Sequence, residues 1–290
     1  MANGILVIDK PQDWTSHDVV AKLRGILHEK RIGHAGTLDP MATGVLPVFV
    51  GRATRAVEFA ADREKEYVAG LRLGIVTDTQ DITGTIRETH DVHVSREALD
   101  SVLNRFRGEI QQIPPMYSAV KKNGKKLYEL ARRGEEIERE PRPITVFELE
   151  LVEQNAETDF ILRVLCSKGT YVRTLCHDIG RALGCGGTLY SLRRTKSAGF
   201  DLSQSLTMER IAEESDPISL LLPVDAYFSD TPALSLENTE KEQKIRNGSA
   251  VQVAGQTDGI YRVYGPGGDF LALSRLEQGR LITIKSFFEV

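Results

Sequence analysis

The segment Arg31 to Arg55, RIGHAGTLDPMATGVLPVFVGRATR, packs a histidine, a threonine and an Asp-Pro step between glycines before it turns into a nearly continuous apolar run. A plain connection needs only Gly, Pro, Asn or Asp. His34 and Thr37 beside Asp39 therefore ask for another explanation. On local grounds Asp39 has two readings: a turn-initiating residue ahead of Pro40, or a carboxylate available as nucleophile or general base.

Other chemistry-bearing residues do not assemble into a rival site. Gly33, Gly36 and Gly44 are not a phosphate loop, because no Lys-Ser/Thr pair follows at the required spacing. His90 and His93 lie in a polar stretch with no nearby partner ligand and read as surface histidines. Cys166, Cys176 and Cys185 suit neither a disulfide framework nor a zinc site, and read as reduced thiols. No Ser-His-Asp order or Cys-His pair stands out.

The elements that must carry Asp39 are legible around it. Ile5 to Ile8 is a short apolar strand ended by Lys10-Pro11, and Thr15 and Ser16 can cap a helix with Val19, Val20, Leu23, Ile26 and Leu27 at helical spacing. GVLPVFVG reads as a buried strand in which Pro47 must sit where no ladder donor is required. EYVAGLRLG alternates as a strand, TDTQDITG is turn-rich, and residues 96 to 107 have helix spacing in Leu99, Val102, Leu103 and Phe106. FILRVLCSKG is a further strand, and TYVRTLCHDIGRALG is a helix with Gly184 as its stop. Strands and helices mix without a regular βαβ rhythm, which predicts an α+β fold: a mixed, mainly antiparallel sheet flanked by helices. From about residue 232 the texture changes to short β-type runs divided by turns such as GPGGD, which predicts a small all-β domain over 232–290 after a larger domain over 1–231.

At 290 residues, 41% hydrophobic and 27% charged, the chain has ordinary globular composition. Its start has no basic n-region, and nothing approaches the length of a membrane-spanning helix, so the expectation is a cytoplasmic protein with no membrane partner. The net charge of −4 hides an uneven distribution. Between Ile161 and Phe200 seven Lys/Arg face one acid, Asp178, and from Met116 to Arg133 six face one, Glu129. Two such segments can meet phosphates in one groove, or each can be a solvated face.

GHAGTLDPMATGVLPV resembles the signature of the TruB family of tRNA pseudouridine synthases, and DKPQDWTS, KEYVAG, SKGTYVRTLCHDIG and SLRRTKSAG resemble its other motifs in the same order. The β-rich end resembles the family's C-terminal PUA RNA-binding domain, so the likeness covers essentially the whole chain. Asp13 departs from a usual glycine, and Arg55 from a frequent lysine.

The resemblance implies the pseudouridine synthase fold and isomerisation of uridine 55 in the TΨC loop of tRNA, with the T arm as the surface recognised. It makes Asp39 the catalytic carboxylate and leaves open whether that group attacks C1′, attacks the base or removes a ribose proton. It makes Arg173 the cation that keeps Asp39 ionised. Tyr67 and Tyr171 would sit against a flipped base, Tyr67 would help remove the C5 proton, Leu192 would close the pocket, and His34 would fill the space vacated in the tRNA loop. Asp81, in TDTQD, matches another polar position of the family. The basic excursion from Met116 to Arg142 resembles the family's thumb-like insertion. The reaction is neither redox nor net hydrolysis, so neither cofactor nor metal is expected, and the enzyme is expected to be a monomer. Two alternatives stay open at this point: a guide-RNA-dependent relative, against which stands the absence of a long basic extension, and an RNA chaperone that opens the tRNA elbow without chemistry.

Overall fold

The computed structural model describes residues 2–60, 63–122 and 124–288. Strand β1 (Gly4–Lys10) leads into helix α1 (Ser16–Leu27), and β2 (Ile32–His34) and β3 (Thr43–Val50) flank the Asp39 loop. Then come β4 (Lys65–Leu73), α2 (Arg96–Leu103), β5 (Gly108–Gln112), β6 (Arg142–Gln154), β7 (Asp159–Cys166), α3 (Val172–Leu183) and β8 (Gly187–Ser197). These strands form one sheet in the order β1-β3-β8-β4-β7-β6-β5, with β2 paired to β3. The β3–β8 pairing is parallel and the neighbouring pairings on this path are antiparallel, as the mixed pattern of the sequence predicts.

Local chemistry explains the boundaries nearest the site. Thr15 caps α1 in a reciprocal box with Asp18: Asp18 N donates to Thr15 Oγ1 at 3.1 Å and Thr15 N to Asp18 Oδ2 at 2.8 Å. The buried stripe Val19, Val20, Leu23 and Leu27 faces the sheet core. Pro47 lies opposite Val7, whose carbonyl turns away from β3 to accept from Leu206 N, so that rung requires no proline N–H. On the other side the Pro47 carbonyl accepts from Ala35 N, just past the end of β2. Asp13 has φ 64, the left-handed region in which glycine is free and aspartate is tolerated. That accounts for its place at a family glycine, and its N–H donates to Pro40 O in the Asp39 loop.

A second sheet of five strands gathers Ala233–Ser235, Gly259–Tyr264, Phe270–Glu277, Arg280–Ser286 and Val251–Gln252. The small domain is not purely β. It carries an eight-residue helix, Thr239–Arg246, capped by Asn238 and laced by Lys241–Glu237, Lys244–Glu240 and Arg246–Glu242 ion pairs. Ile245 is its only buried residue, so the sequence holds no apolar period by which to find it. This domain shares a core with the larger one: Leu273 and Phe287 pack in one apolar cluster with Phe49, Tyr227 and Phe228. Arg55 reinforces the junction, donating to Ser286 O at 2.9 Å.

Between β5 and β6 the chain leaves the sheet. A hairpin pairs Lys121 with Lys126 and Lys122 with Lys125, and a short helix, Leu127–Ala131, buries Leu127 and Leu130 against Met116.

Candidate active site

Register across the sheet lays out the floor of the site. Gly44 on β3 pairs with Arg194 on β8, Arg194 pairs with Tyr67 on β4, and Tyr67 pairs with Val164 on β7. Directly opposed residues share a face. Tyr67, Arg194 and, two residues before it, Leu192 thus lie beneath the Asp39 loop. The row tolerates no side chain at position 44: Gly44 has φ 101, and a Cβ there would come within 2.2 Å of Arg194 O.

Two anchors hold the loop itself. Leu38 N donates to Ser16 Oγ at 2.9 Å, which ties the residue before Asp39 to the first turn of α1. Lys10 is fully buried, and its Nζ donates to Pro11 O, Trp14 O and Pro40 O at 2.8, 2.6 and 3.2 Å. Burial pushes the Lys10 amine down to about 8, against the opposing pull of Asp13 and Asp39.

Arg173 reaches the loop from the opposite side, from the first turn of α3. Its Nε lies 2.9 Å from Asp39 Oδ2, and its Nη2 donates to Asp39 Oδ1 at 3.4 Å. Nη1 donates to Thr79 O at 3.0 Å and lies 3.6 Å from Asp81 Oδ2, while Nη2 also donates to Tyr117 O at 2.8 Å. The guanidinium therefore engages two carboxylates and two carbonyls with its fixed fork of donors. The asymmetry of exposure decides what this means: the Arg173 side chain is 5% exposed, and that of Asp39 is 38%. The cation is hidden, and the carboxylate it holds faces open space.

Asp81 is the second, buried counter-charge. Its Oδ1 accepts from Thr83 N at 3.0 Å and Thr79 Oγ1 at 2.9 Å, and its Oδ2 faces Arg173. A carboxylate that accepts several donors is fixed in place. Asp81 braces Arg173 from behind.

Tyr67 and Tyr171 flank this trio. Burial raises both phenols above their ordinary value; the Arg194 charge opposes the rise at Tyr67, and Ser118 and Arg173 oppose it at Tyr171. Tyr171 is the N-cap of α3, and Gln112 takes both of its backbone groups: Tyr171 N donates to Gln112 Oε1 at 2.8 Å, and Gln112 Nε2 donates to Tyr171 O at 3.1 Å. Leu192 is buried in the core cluster that also holds Tyr67 and Leu38. His34 stands apart, edge-on to His17 with ring centroids 5.8 Å apart, and burial, His17 and Arg194 together push it down to about 4.

The structure thus sets Asp39 and Asp81 each against Arg173, with Tyr67 and Tyr171 near enough to feel the Asp39 charge and Leu192 in the core cluster with Leu38 and Tyr67. Sequence reasoning misses four contributors. Arg194, Lys10, Gln112 and Thr79 give no local signal, because each acts through partners far along the chain.

The two basic segments divide. Arg163 is clamped by Glu66, Glu148 and Glu150, Arg193 by Asp9 and Lys196 by Glu66, while Arg173 and Arg194 are buried. The surplus between Ile161 and Phe200 is in large part internal. The Lys121–Lys126 hairpin differs, since both of its rungs set lysine against lysine. Like charges directly opposed repel, and a polyanion relieves that repulsion. Among the described residues no group of His, Cys, Asp and Glu is arranged to hold a metal ion, and no helix is long and apolar enough to cross a membrane.

Comparison with known proteins identifies the family. Residues 24–172 match the TruB family pseudouridylate synthase N-terminal domain, and residues 173–229 match the tRNA pseudouridylate synthase B C-terminal domain. Relatives named tRNA pseudouridine synthase B include those of Clostridium kluyveri, 41% identical over 98% of this chain and 99% of its own, and Syntrophomonas wolfei, 46% identical over 94% and 93%. Among solved structures, an H/ACA RNP bound to a substrate RNA containing 2′-deoxyuridine superposes with a TM-score of 0.74 at 25% identity, covering 99% of this chain and 85% of that one. The chain belongs to the TruB family of pseudouridylate synthases.

Proposed function

We propose that the protein is a stand-alone tRNA pseudouridine synthase, an isomerase that converts the TΨC-loop uridine to pseudouridine. The C1′–N1 bond breaks, the base turns, C1′ bonds to C5, the C5 proton leaves and N1 gains one. Atoms balance without oxidant, water or cofactor. The observation that carries this reading is the Arg173 fork on Asp39, a hidden cation presenting a carboxylate to an open site.

Asp39 acts on the sugar or the base. Arg173 fixes its orientation, and Asp81 remains opposite Arg173 whatever happens to the charge on Asp39. In nucleophilic modes, where Asp39 becomes an ester, that second carboxylate keeps the buried guanidinium balanced. Tyr67 lies against the flipped base and takes the C5 proton, Tyr171 stacks beside it, Leu192 closes the pocket, and His34, held neutral at pH 7, fills the vacated space in the loop. The lysine hairpin in the thumb-like insertion grips the T arm, and the C-terminal sheet serves as a PUA-type RNA-binding domain. The enzyme works as a cytoplasmic monomer without metal.

The test is tritium release from C5 of uridine-labelled tRNA transcript by the purified protein alone. Release from the wild-type transcript and none when the TΨC uridine is replaced by cytidine is expected. A requirement for added guide RNA, or tRNA refolding without release, would overturn the proposal.

A further inference from the structure

Arg194 heads the fully buried side chains by size, and no carboxylate ion-pairs with it among the described residues. Its Nε donates to Val45 O at 2.7 Å and its Nη2 to Gly36 O at 2.9 Å, which leaves Nη1 buried without a hydrogen-bond partner. A buried guanidinium without a carboxylate is costly to desolvate, and two carbonyl contacts alone do not require a charge. The Asp39 loop is nevertheless shaped to admit it. Gly36 has φ 76, and a Cβ there would stand only 3.2 Å from Nη1.

The group placed to use that charge is Tyr67, the direct cross-strand partner of Arg194 between β8 and β4. Such partners carry their Cβ atoms ~5 Å apart on one face. Other groups acting on the Tyr67 phenol are Cys166 and Asp39, and both oppose its ionisation, as burial does; Arg194 favours it. Two further neighbours, His34 and Lys10, feel Arg194 as a repelling charge and cannot be its counter-ions.

We propose that Arg194 is the positioning residue of Tyr67: anchored by the Val45 and Gly36 carbonyls, its guanidinium steadies the phenol oxygen and favours the phenolate that takes the C5 proton. The inference rests on the reading that Tyr67 removes that proton. In the step, the phenolate oxygen accepts the proton from C5, the C5–H electron pair returns to the uracil ring, and the phenol later loses the proton to solvent. Arg194 acts through Tyr67 and touches no atom of the substrate.

A double-mutant cycle tests this. Single-turnover tritium release is measured for Arg194→Met and Arg194→Lys, each with Tyr67 and with Tyr67→Phe, alongside tRNA binding and melting temperature. In the Tyr67 background Arg194→Met should lose roughly tenfold or more in rate at neutral pH, and Arg194→Lys should recover most of it. In the Tyr67→Phe background Arg194→Met should cost less than about twofold. Equal losses in both backgrounds, or a lysine variant as slow as the methionine one, would reduce Arg194 to a structural staple and overturn the proposal. A spectroscopic readout does not depend on activity. With ¹³Cζ-labelled tyrosine, assigned through Tyr67→Phe, the Tyr67 titration should move up by about one pH unit or more in Arg194→Met, and an unmoved titration overturns the proposal. Should Arg194→Met fail to fold, Arg194→Lys decides through the same titration, which must stay close to that of the wild type. If Tyr67→Phe instead keeps the wild-type rate, the base role of Tyr67 fails, while the ¹³C titration still judges the coupling.

Discussion

Arg173 and Asp39, 134 residues apart in the chain, meet edge to edge, with Nε 2.9 Å from one carboxylate oxygen and Nη2 3.4 Å from the other. A point charge cannot reproduce that double contact. Arg173→Lys keeps the charge and loses the fork, together with its bonds to Thr79 O and Tyr117 O. The expected loss is roughly 10²-fold in single-turnover rate, the scale of a misplaced catalytic group, with tRNA affinity nearly unchanged. Near wild-type turnover would show that orientation by Arg173 is not needed.

Asp81 stands behind the same guanidinium and faces no open space. Asp81→Asn removes a buried counter-charge and leaves Thr79, Thr83 and Arg173 with a poorer acceptor. A stability loss of about 1–3 kcal/mol in denaturant titration is expected, with a rate loss smaller than that of Asp39 substitutions. An Asp81→Asn protein as inactive as Asp39→Ala would give Asp81 a direct part in the chemistry.

His34 carries a pH signature. Its folded value, about 4, lies below the ordinary histidine value of 6.5 because of burial and the nearby His17 and Arg194. The unfolded state therefore binds more protons between these values, so stability is full above pH 6.5 and falls as pH drops toward 4. Denaturant midpoints across that window should decline less steeply for His34→Gln than for the wild type. Parallel curves would mean that His34 titrates normally in the fold.

Electrostatic grip on RNA should come from the hairpin and not from the second basic segment. Replacing the exposed Lys121 and Lys125 by alanine should lower the slope of log affinity against log salt by ~0.7–0.9 for each phosphate that is no longer neutralised. Arg163→Ala should leave the slope alone, since Arg163 is already committed to three glutamates. The reverse result would relocate the RNA path.

The sequence reveals most where physics is local. The Thr15 cap, the α1 stripe, Gly184 at φ 79 and the Asp39 loop with its glycines are all readable within a few residues. Partners across the sheet are not. Arg194 reads as one more basic residue in SLRRTKSAG until β8 pairs with β4, and Arg163 reads as either a phosphate contact or a solvated charge until β6 brings up Glu148 and Glu150. The 13-residue strand β6 escapes a reading of the sequence because its alternation breaks where its register against β7 shifts, between Val146 and Glu148 and between Leu151 and Glu153, leaving Phe147 and Val152 exposed. The shared core of Phe228 and Phe287 is likewise invisible from a boundary drawn at residue 232. Deleting 232–290 would expose that core, so the RNA-binding part of the small domain is better probed by surface substitutions.

The most direct measurement concerns Asp39. In Asp39→Ala and Asp39→Asn, tritium release from C5-labelled tRNA is followed under single-turnover conditions, with circular dichroism and tRNA binding as controls. A carboxylate that acts as nucleophile or base predicts a loss of at least ~10³-fold in both, with fold and affinity kept. The turn itself is closed by Ala42 N, which donates to the Asp39 backbone carbonyl at 3.0 Å, a bond that neither substitution removes. A folded Asp39→Ala protein that releases tritium within about tenfold of the wild-type rate would make Asp39 a turn residue and contradict its catalytic role.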